Sequence, residues 1–242
     1  ELGTNPFKFG MIGSTDSHTG LATADSDNFF GKFPGSERAA ERLSNQMGGF
    51  AWRNRTLAAS GYAAVWAAEN TRESIFDALA RKEVYATTGP RITVRFFGGW
   101  NYDETILDNP NMIEEAYSLG VPMGGDLTNQ ENTQATPSFL ITAIKDPGGA
   151  NLDRLQMVKG WINKDGSRAE KIFDVAWSDN RSSDGNGEIP DLKSTVDIGQ
   201  ATYDNSVGTS ELSVVWKDPS FDASIPAVYY VRVLEIETPR WT

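Results

Sequence analysis

Two short apolar runs and an amphipathic segment organise the first 90 residues. Residues 7–13 are apolar and end in glycine, which predicts a buried strand. Residues 61–68 are apolar and mostly small, which suits a tightly packed strand, although the periodicity leaves a helix open. An apolar stripe at helical spacing, preceded by a capping-box pair at Asn70 and Glu73, predicts a helix over about 71–82. Strand, long loop, strand and helix in this order favour the closing βα units of a barrel.

Six apolar stretches separated by turn signals follow Gly89 and Pro90. They predict strands at 92–97, 139–144, 152–159, 171–177, 211–216 and 227–236. Residues 98–115 are polar and predict a loop. Short strands without a long helix predict an antiparallel β-sandwich. The expected fold is α+β and β-rich, with closing segments of a β/α barrel in 1–90 and a β-sandwich domain in 91–242.

Composition narrows the possible function. Among 242 residues, 39% are hydrophobic and 11% aromatic, as in a globular protein. A net charge of −11 argues against partners such as nucleic acid or an anionic membrane. The absence of cysteine excludes disulfides, thiol catalysis and Cys-ligated zinc, but leaves periplasm and cytoplasm both open. The sequence starts without Met and stops directly after a strand-like run, so we expect a portion of a longer chain.

Asp16 and His18 are the strongest candidates for chemistry. They follow the first apolar run and lie two positions apart, so an extended backbone would point both side chains to one side. That arrangement is typical of metal ligands at the end of a barrel strand. The alternative is a turn in which Asp16 caps backbone amides and His18 is merely polar. Asp-x-His is a short motif, and by itself it leaves both interpretations open.

Longer stretches carry a family resemblance. The segment 13–18 resembles the late Asp-x-His metal motif of the PHP (polymerase and histidinol phosphatase) superfamily. The segments 65–79, 85–91 and 95–100 resemble a PHP-related bacterial family of unknown function, DUF3604. The resemblance continues through three further stretches, 175–179, 216–219 and 229–241. It covers nearly the whole chain.

The resemblance implies a metal-dependent, phosphoesterase-like hydrolase on a distorted β/α barrel. It implies that Asp16 and His18 bind divalent zinc, manganese or iron, which activates water to attack a small-molecule ester. The family's other ligands belong to an N-terminal region of the same protein that precedes this sequence. We therefore expect this portion alone to be inactive. The alternative is a non-catalytic β-sandwich that serves as a structural or ligand-binding module.

Thr88 and Arg91 form a second candidate group beside Gly89 and Pro90. A guanidinium with neighbouring hydroxyls suits an anionic substrate. A structural turn in which Arg91 pairs with an acid is the alternative, and the Gly-Pro punctuation favours it.

Two further patterns are less specific. Asp184, Asn186 and Glu188 alternate as oxygen ligands do in calcium loops, but Thr195 stands where an EF-hand has its bidentate Glu. A solvated acidic hairpin loop is the favoured interpretation. The seven tryptophans are scattered along the chain, so they predict core packing rather than a sugar-stacking platform.

Overall fold

A computed structural model of the chain describes residues 8–18, 20, 61–128, 135–184 and 189–239. The chain divides into two compact units. The first comprises residues 1–91, 197–202 and 239–242, and the second comprises residues 92–196 and 203–238. In the part of the chain that the structure describes, no helix has the length and apolarity to cross a membrane.

The first unit contains a two-stranded antiparallel sheet with a helix between its strands. The strands are β1 (Tyr62–Val65) and β2 (Val84–Thr87), and the helix is α1 (Arg72–Ala80). The predicted strand and helix are confirmed, while β2 was not predicted. Because β1 and β2 run antiparallel and regular barrel units have parallel strands, the barrel remains a prediction.

The cap of α1 differs from the expected pair of Asn70 and Glu73. Thr71 is the N-cap, and its side chain accepts a hydrogen bond from the backbone amide of Ser74 at 3.3 Å. The Ser74 hydroxyl in turn accepts from the amide of Glu69 at 3.1 Å. Two amides are thus satisfied, but the second belongs to Glu69 and not to the N-cap residue, so the arrangement differs from a capping box.

The prediction of a buried strand at 7–13 is wrong for the residues that the structure describes. Residues 8–17 have no regular secondary structure, and the side chains of Phe9, Met11 and Ile12 are 75%, 53% and 64% exposed. The segment is apolar in sequence, but none of the described strands pairs with it, so it is not part of a sheet.

The second unit consists of two antiparallel sheets. Its strands are β3 (Thr93–Gly99), β4 (Gly120–Pro122), β5 (Ser138–Ile144), β6 (Leu152–Ile162), β7 (Arg168–Trp177), β8 (Glu211–Lys217) and β9 (Ala227–Glu235). The four-stranded sheet has the order β4-β3-β5-β8 and the three-stranded sheet the order β7-β6-β9. All six predicted strands are present. The β-rich fold with sandwich-like antiparallel sheets is confirmed.

The core lies between the inner faces of these two sheets. Alternate residues of β5 and β6 are fully buried there, among them Phe139, Ile141, Leu155 and Met157. Strand β9 contributes its odd-numbered residues, including Tyr229. The period of two explains why these strands could be found from sequence.

The outer face of the four-stranded sheet carries two helices that replace the expected loop at 98–115. They are a 3₁₀ helix (Glu104–Asp108) and α2 (Met112–Leu119). Tyr102 is 1% exposed, and its hydroxyl donates to the carbonyl of Ala116 at 2.5 Å. Burial raises the pKa of Tyr102 to about 12. This phenol packs α2 against the sheet.

A buried ion pair connects β6 with the segment that follows β8. The ammonium of Lys159 lies 2.6 Å from Oδ2 of Asp218, and the two side chains are 7% and 0% exposed. Tyr229 donates its hydroxyl to the same Oδ2 at 2.7 Å, and Ser220 donates its amide and hydroxyl to Oδ1 at 2.8 and 2.9 Å. Burial alone would raise the pKa of Asp218, but hydrogen bonds from Lys159, Tyr229 and Ser220 hold it below its ordinary value.

We predict that Asp218→Ala destabilises the protein strongly, because it leaves the Lys159 ammonium buried without its counter-ion. Loss of one partner of a buried pair costs about 3–5 kcal/mol, measurable by urea unfolding. Asp165→Ala is a matched control, since Asp165 also accepts from the amide and hydroxyl of a serine two residues on, at 2.9 and 2.6 Å, but is exposed. Equal stability losses in the two variants would contradict the prediction.

Candidate functional site

Asp16 and His18 lie side by side at the surface of the first unit. Nε2 of His18 is 3.5 Å from Oδ1 of Asp16, and the two side chains are 50% and 62% exposed. Both donor atoms are therefore close to one point that solvent can reach. The structure brings together the two residues that the sequence singled out.

Their approach comes from a turn and not from strand alternation. Asp16 has a φ of 49°, a left-handed conformation that Asp tolerates better than most residues. Its amide donates to the hydroxyl of Ser14 at 3.3 Å, and the amide of Ser17 donates to the hydroxyl of Thr15 at 3.3 Å. The two predicted alternatives, a ligand pair and a turn, therefore occur in the same segment.

The segment before this turn runs close to β1 and β2. A Cβ atom at Gly13 would lie 2.7 Å from the carbonyl oxygen of Tyr62 and 2.8 Å from that of Thr87. Only glycine permits such an approach of the backbone. The turn is thereby held at the end of the sheet where Tyr62 pairs with Thr87.

Thr88 and Arg91 follow β2 in the same unit. Thr88 is exposed, and the guanidinium carbon of Arg91 lies 5.4 Å from the centroid of the Tyr62 ring, a cation–π contact. The hydroxyl of Thr87 is buried and has no hydrogen-bond partner among the residues that the structure describes. Tyr62 is thus a shared neighbour of Gly13 and Arg91.

A complete metal cage is not formed by the described residues. Among residues 8–18, 20, 61–128, 135–184 and 189–239, no three His, Asp or Glu side chains converge as metal ligands. Asp16 and His18 supply one oxygen and one nitrogen donor. Any metal bound here needs further ligands.

The comparison with known proteins identifies the family. A family model described as "Protein of unknown function (DUF3604)" matches residues 1–242. The chain belongs to the DUF3604 family. No curated protein and no solved structure matches it. The resemblance to DUF3604 is confirmed, whereas membership of the wider PHP superfamily stays a prediction.

In this DUF3604 chain, an arginine network binds Asp191, which follows the stretch considered for calcium. Asn186 and Glu188 lie outside the described residues, so the calcium hypothesis stays untested. Arg154 bonds to the carboxylates of Asp153, Asp174 and Asp191, at 3.0, 3.4 and 3.0 Å. Burial alone would lower the pKa of Arg154, but these carboxylates raise it above its ordinary value. Nearby acidic side chains therefore serve the fold as ion-pair partners.

Most tryptophans that the structure describes serve packing, as predicted. Trp216 belongs to the core, with its ring centroid 5.9 Å from Phe139 and 5.0 Å from Phe173. Trp52 and Trp241 lie outside the described residues. Trp100 differs, because it lines a cleft of about 360 Å³ in the second unit of this DUF3604 protein. The sequence analysis missed the cleft, since its walls come from stretches far apart in the chain.

Glu235 was also missed as an ionisable group. Its Oε1 is buried without a hydrogen-bond partner among the described residues. Burial and, to a smaller extent, the carboxylate of Asp146 raise the pKa of Glu235 to about 7, and the ammonium of Lys145 opposes this shift. Its position at the end of a β-strand gave no signal that it would be buried.

We predict that Gly13→Ala weakens pairing of β1 with β2, because its Cβ would push against two backbone carbonyls. Overpacking of this kind costs about 1–3 kcal/mol, so amides of both strands should exchange with solvent about ten- to hundredfold faster. Gly20→Ala is the control, since a Cβ there would have no neighbour within 4 Å among the described residues. Equal exchange in both variants would show that the close approach is not needed.

We predict that Glu235 makes stability fall as pH rises. Its folded pKa of about 7 exceeds the ordinary 4.5, so the folded state binds the proton more tightly. The contribution is complete below about pH 4.5 and is lost as pH rises to about 7 and beyond. Partial exposure of the carboxyl group screens the effect, so the expected change in the free energy of unfolding is about 1–2 kcal/mol.

Chemical denaturation of Glu235→Gln between pH 4 and 8 tests this, and the variant should lose that part of the pH dependence. Glu237→Gln, two residues on and exposed, is the control and should keep the wild-type slope. If the unfolding free energy of Glu235→Gln changed with pH as it does in the wild type, the role assigned to Glu235 would be refuted.

Proposed function

We propose that the first unit contributes part of the active site of a metal-dependent, phosphoesterase-like hydrolase. Asp16 and His18 would bind a divalent zinc, manganese or iron ion. Further ligands would come from an N-terminal region of the same protein. The substrate would be a small-molecule ester with an anionic group.

The separation of the two donor atoms carries the proposal. Metal–ligand bonds to His nitrogen and carboxylate oxygen are about 2.1 Å long, so two donors at a tetrahedral angle lie about 3.4 Å apart. Nε2 of His18 and Oδ1 of Asp16 are 3.5 Å apart. The pair therefore fits two neighbouring positions of one coordination sphere with little rearrangement.

The residues of this chain would bind the metal ion, hold it in position and neutralise part of its charge. A bound metal supplies an activated water and polarises the ester. His18 would offer the neutral imidazole lone pair, and the Asp16 carboxylate would offset part of the positive charge. The left-handed turn, with its amides bonded to Ser14 and Thr15, would hold both donors in place.

Thr88 and Arg91 would meet the anionic group of the ester. The Tyr62 ring orients the Arg91 guanidinium by a cation–π contact, and a guanidinium is suited to charge-assisted hydrogen bonds with an anion. The exposed Thr88 hydroxyl would supply a neutral donor. Both residues follow β2, the strand whose last residue, Thr87, approaches Gly13.

Exposed apolar side chains in the first unit support packing against further polypeptide. Phe9, Ile12, Phe76 and Leu79 are 75%, 64%, 67% and 44% exposed. Burying a side chain of this size stabilises a protein by about 1.5–3 kcal/mol. A region that supplied the remaining ligands could also bury these apolar side chains and be stabilised by that contact.

Metal analysis of the protein produced together with its preceding N-terminal region tests the ligand assignment. We expect bound transition metal, and a loss of at least one equivalent in both Asp16→Asn and His18→Asn because each removes a ligand. Phosphoester hydrolysis should fall with the metal content. Glu73→Gln, an exposed acid in the same unit, should leave both unchanged. Unchanged metal content in both ligand variants would overturn the assignment.

The 242-residue chain alone should not hydrolyse a generic ester such as p-nitrophenyl phosphate. Two side chains leave a metal mostly bound by water, so it would be weakly held and poorly oriented. Turnover by the purified chain that disappears with a chelator would show that the 242 residues already contain the essential ligands.

A further inference from the structure

The cleft in the second unit lies where the two sheets have open edges. Its residues come from β3, from β4 and the turn after it, from the start of β5, and from β9 and the segment before it. Strands β4 and β9 are both at the edges of their sheets. The cavity volume of about 360 Å³ lies within the range of small-molecule sites.

Aromatic rings dominate the walls of the cleft. Five rings line it, namely Phe96, Trp100, Phe139, Phe221 and Tyr229. They form two groups, with centroid distances of 5.8 Å for Phe96–Phe139 and 4.6 Å for Phe139–Tyr229 in one, and 5.9 Å for Trp100–Phe221 in the other. Ring faces carry negative electrostatic potential, so such a wall attracts cations as well as apolar groups.

The charges at the cleft favour a cation too. Asp126, an exposed carboxylate, lines it, whereas no Lys, Arg or His is among the described lining residues. Lys159 lies behind the wall, 5.8 Å from the centroid of the Tyr229 ring, but its charge is balanced by Asp218. Tyr229 donates its hydroxyl to Asp218, which increases the electron density of the ring.

Gly98 enlarges the cleft at a position where a strand would normally carry a side chain. A Cβ atom there would lie 3.3 Å from the Phe139 ring and 3.6 Å from Leu127, and both residues line the cleft. Glycine weakens a strand interior and often marks a place where a ligand approaches the backbone. A side chain at this position would crowd Phe139 and Leu127, so glycine keeps this part of the wall free of a further side chain.

We propose that this cleft binds a small organic cation, an ammonium compound with an aromatic or aliphatic body. The aromatic rings would contact the body and the charge, and Asp126 would supply the counter-charge. An anion would meet a carboxylate and no basic side chain. A neutral apolar molecule would gain the packing but lose the cation–π and carboxylate attraction, so it should bind more weakly.

Titration calorimetry with three probes of similar size tests the proposal. The probes are 2-phenylethylammonium, 2-phenylethanol and 3-phenylpropionate, which share a phenyl body and differ in charge. The ammonium should bind the 242-residue protein at least tenfold more tightly than the alcohol, and the carboxylate should not bind measurably. Equal binding of ammonium and alcohol, or no binding of the ammonium, would overturn the proposal.

Two variants locate the binding in the cleft. Asp126→Asn should weaken binding of the ammonium about three- to tenfold and leave the affinity for the alcohol unchanged, because only the charge is removed. Ala223→Trp places a bulky ring at an exposed position of the wall and should abolish binding of both. Ile172→Trp on β7, 45% exposed and outside the cleft, is the matched control. Wild-type affinity in Ala223→Trp would refute the location even if the ammonium binds. The metal site concerns other residues, so neither result depends on it.

Discussion

The buried ion pair between Lys159 and Asp218 is the contact on which the β-sandwich depends. Lys159 is on β6, the central strand of the three-stranded sheet, and Asp218 directly follows β8 of the four-stranded sheet. Neither charge has much access to water, so each relies on the other and on Tyr229 and Ser220 to offset its desolvation. Lys159 reaches Asp218 only when the two sheets are correctly aligned. The pair therefore specifies the packing of the sheets, even where its net stabilisation is small.

The same network shapes the wall of the cleft. Asp218 holds Ser220 through two hydrogen bonds, and the next residue, Phe221, meets Trp100 in an edge-to-face contact. The ring of Tyr229 packs against Phe139, and its hydroxyl donates a hydrogen bond to Asp218. The rings are therefore positioned by the fold before any ligand arrives. A ligand entering such a preorganised site has little ordering to offset, which is what gives a small aromatic cleft useful affinity.

The strands were predictable from sequence because the alternation of apolar and polar residues is a local pattern. The segments that cover and connect the strands depend on tertiary contacts and were not predictable in the same way. Residues of β9 such as Val231 alternate with polar or exposed ones, and that period survives in any context. Helix α2 was missed because residues 98–115 are polar on average, and the contact of Tyr102 with Ala116 that packs the helix onto the sheet is tertiary. Asp16 and His18 were found for their chemistry, yet the predicted extended geometry was wrong, because a left-handed residue is hard to foresee from composition. The cleft was missed for a stronger reason, since its five rings converge from four separate stretches.

The two candidate sites differ in what they need from outside the described residues. The cleft belongs to a unit with its own buried core, and five rings and a carboxylate already surround it. Asp16 and His18 belong to a unit whose apolar side chains, Phe9 and Phe76 among them, remain largely exposed, and they supply two donors of the four or more that a metal takes. The proposed chemistry of the first unit would therefore depend on ligands and packing from outside the described residues. Binding in the second unit does not, so the two activities would be separable: loss of metal would abolish hydrolysis and leave the cleft intact.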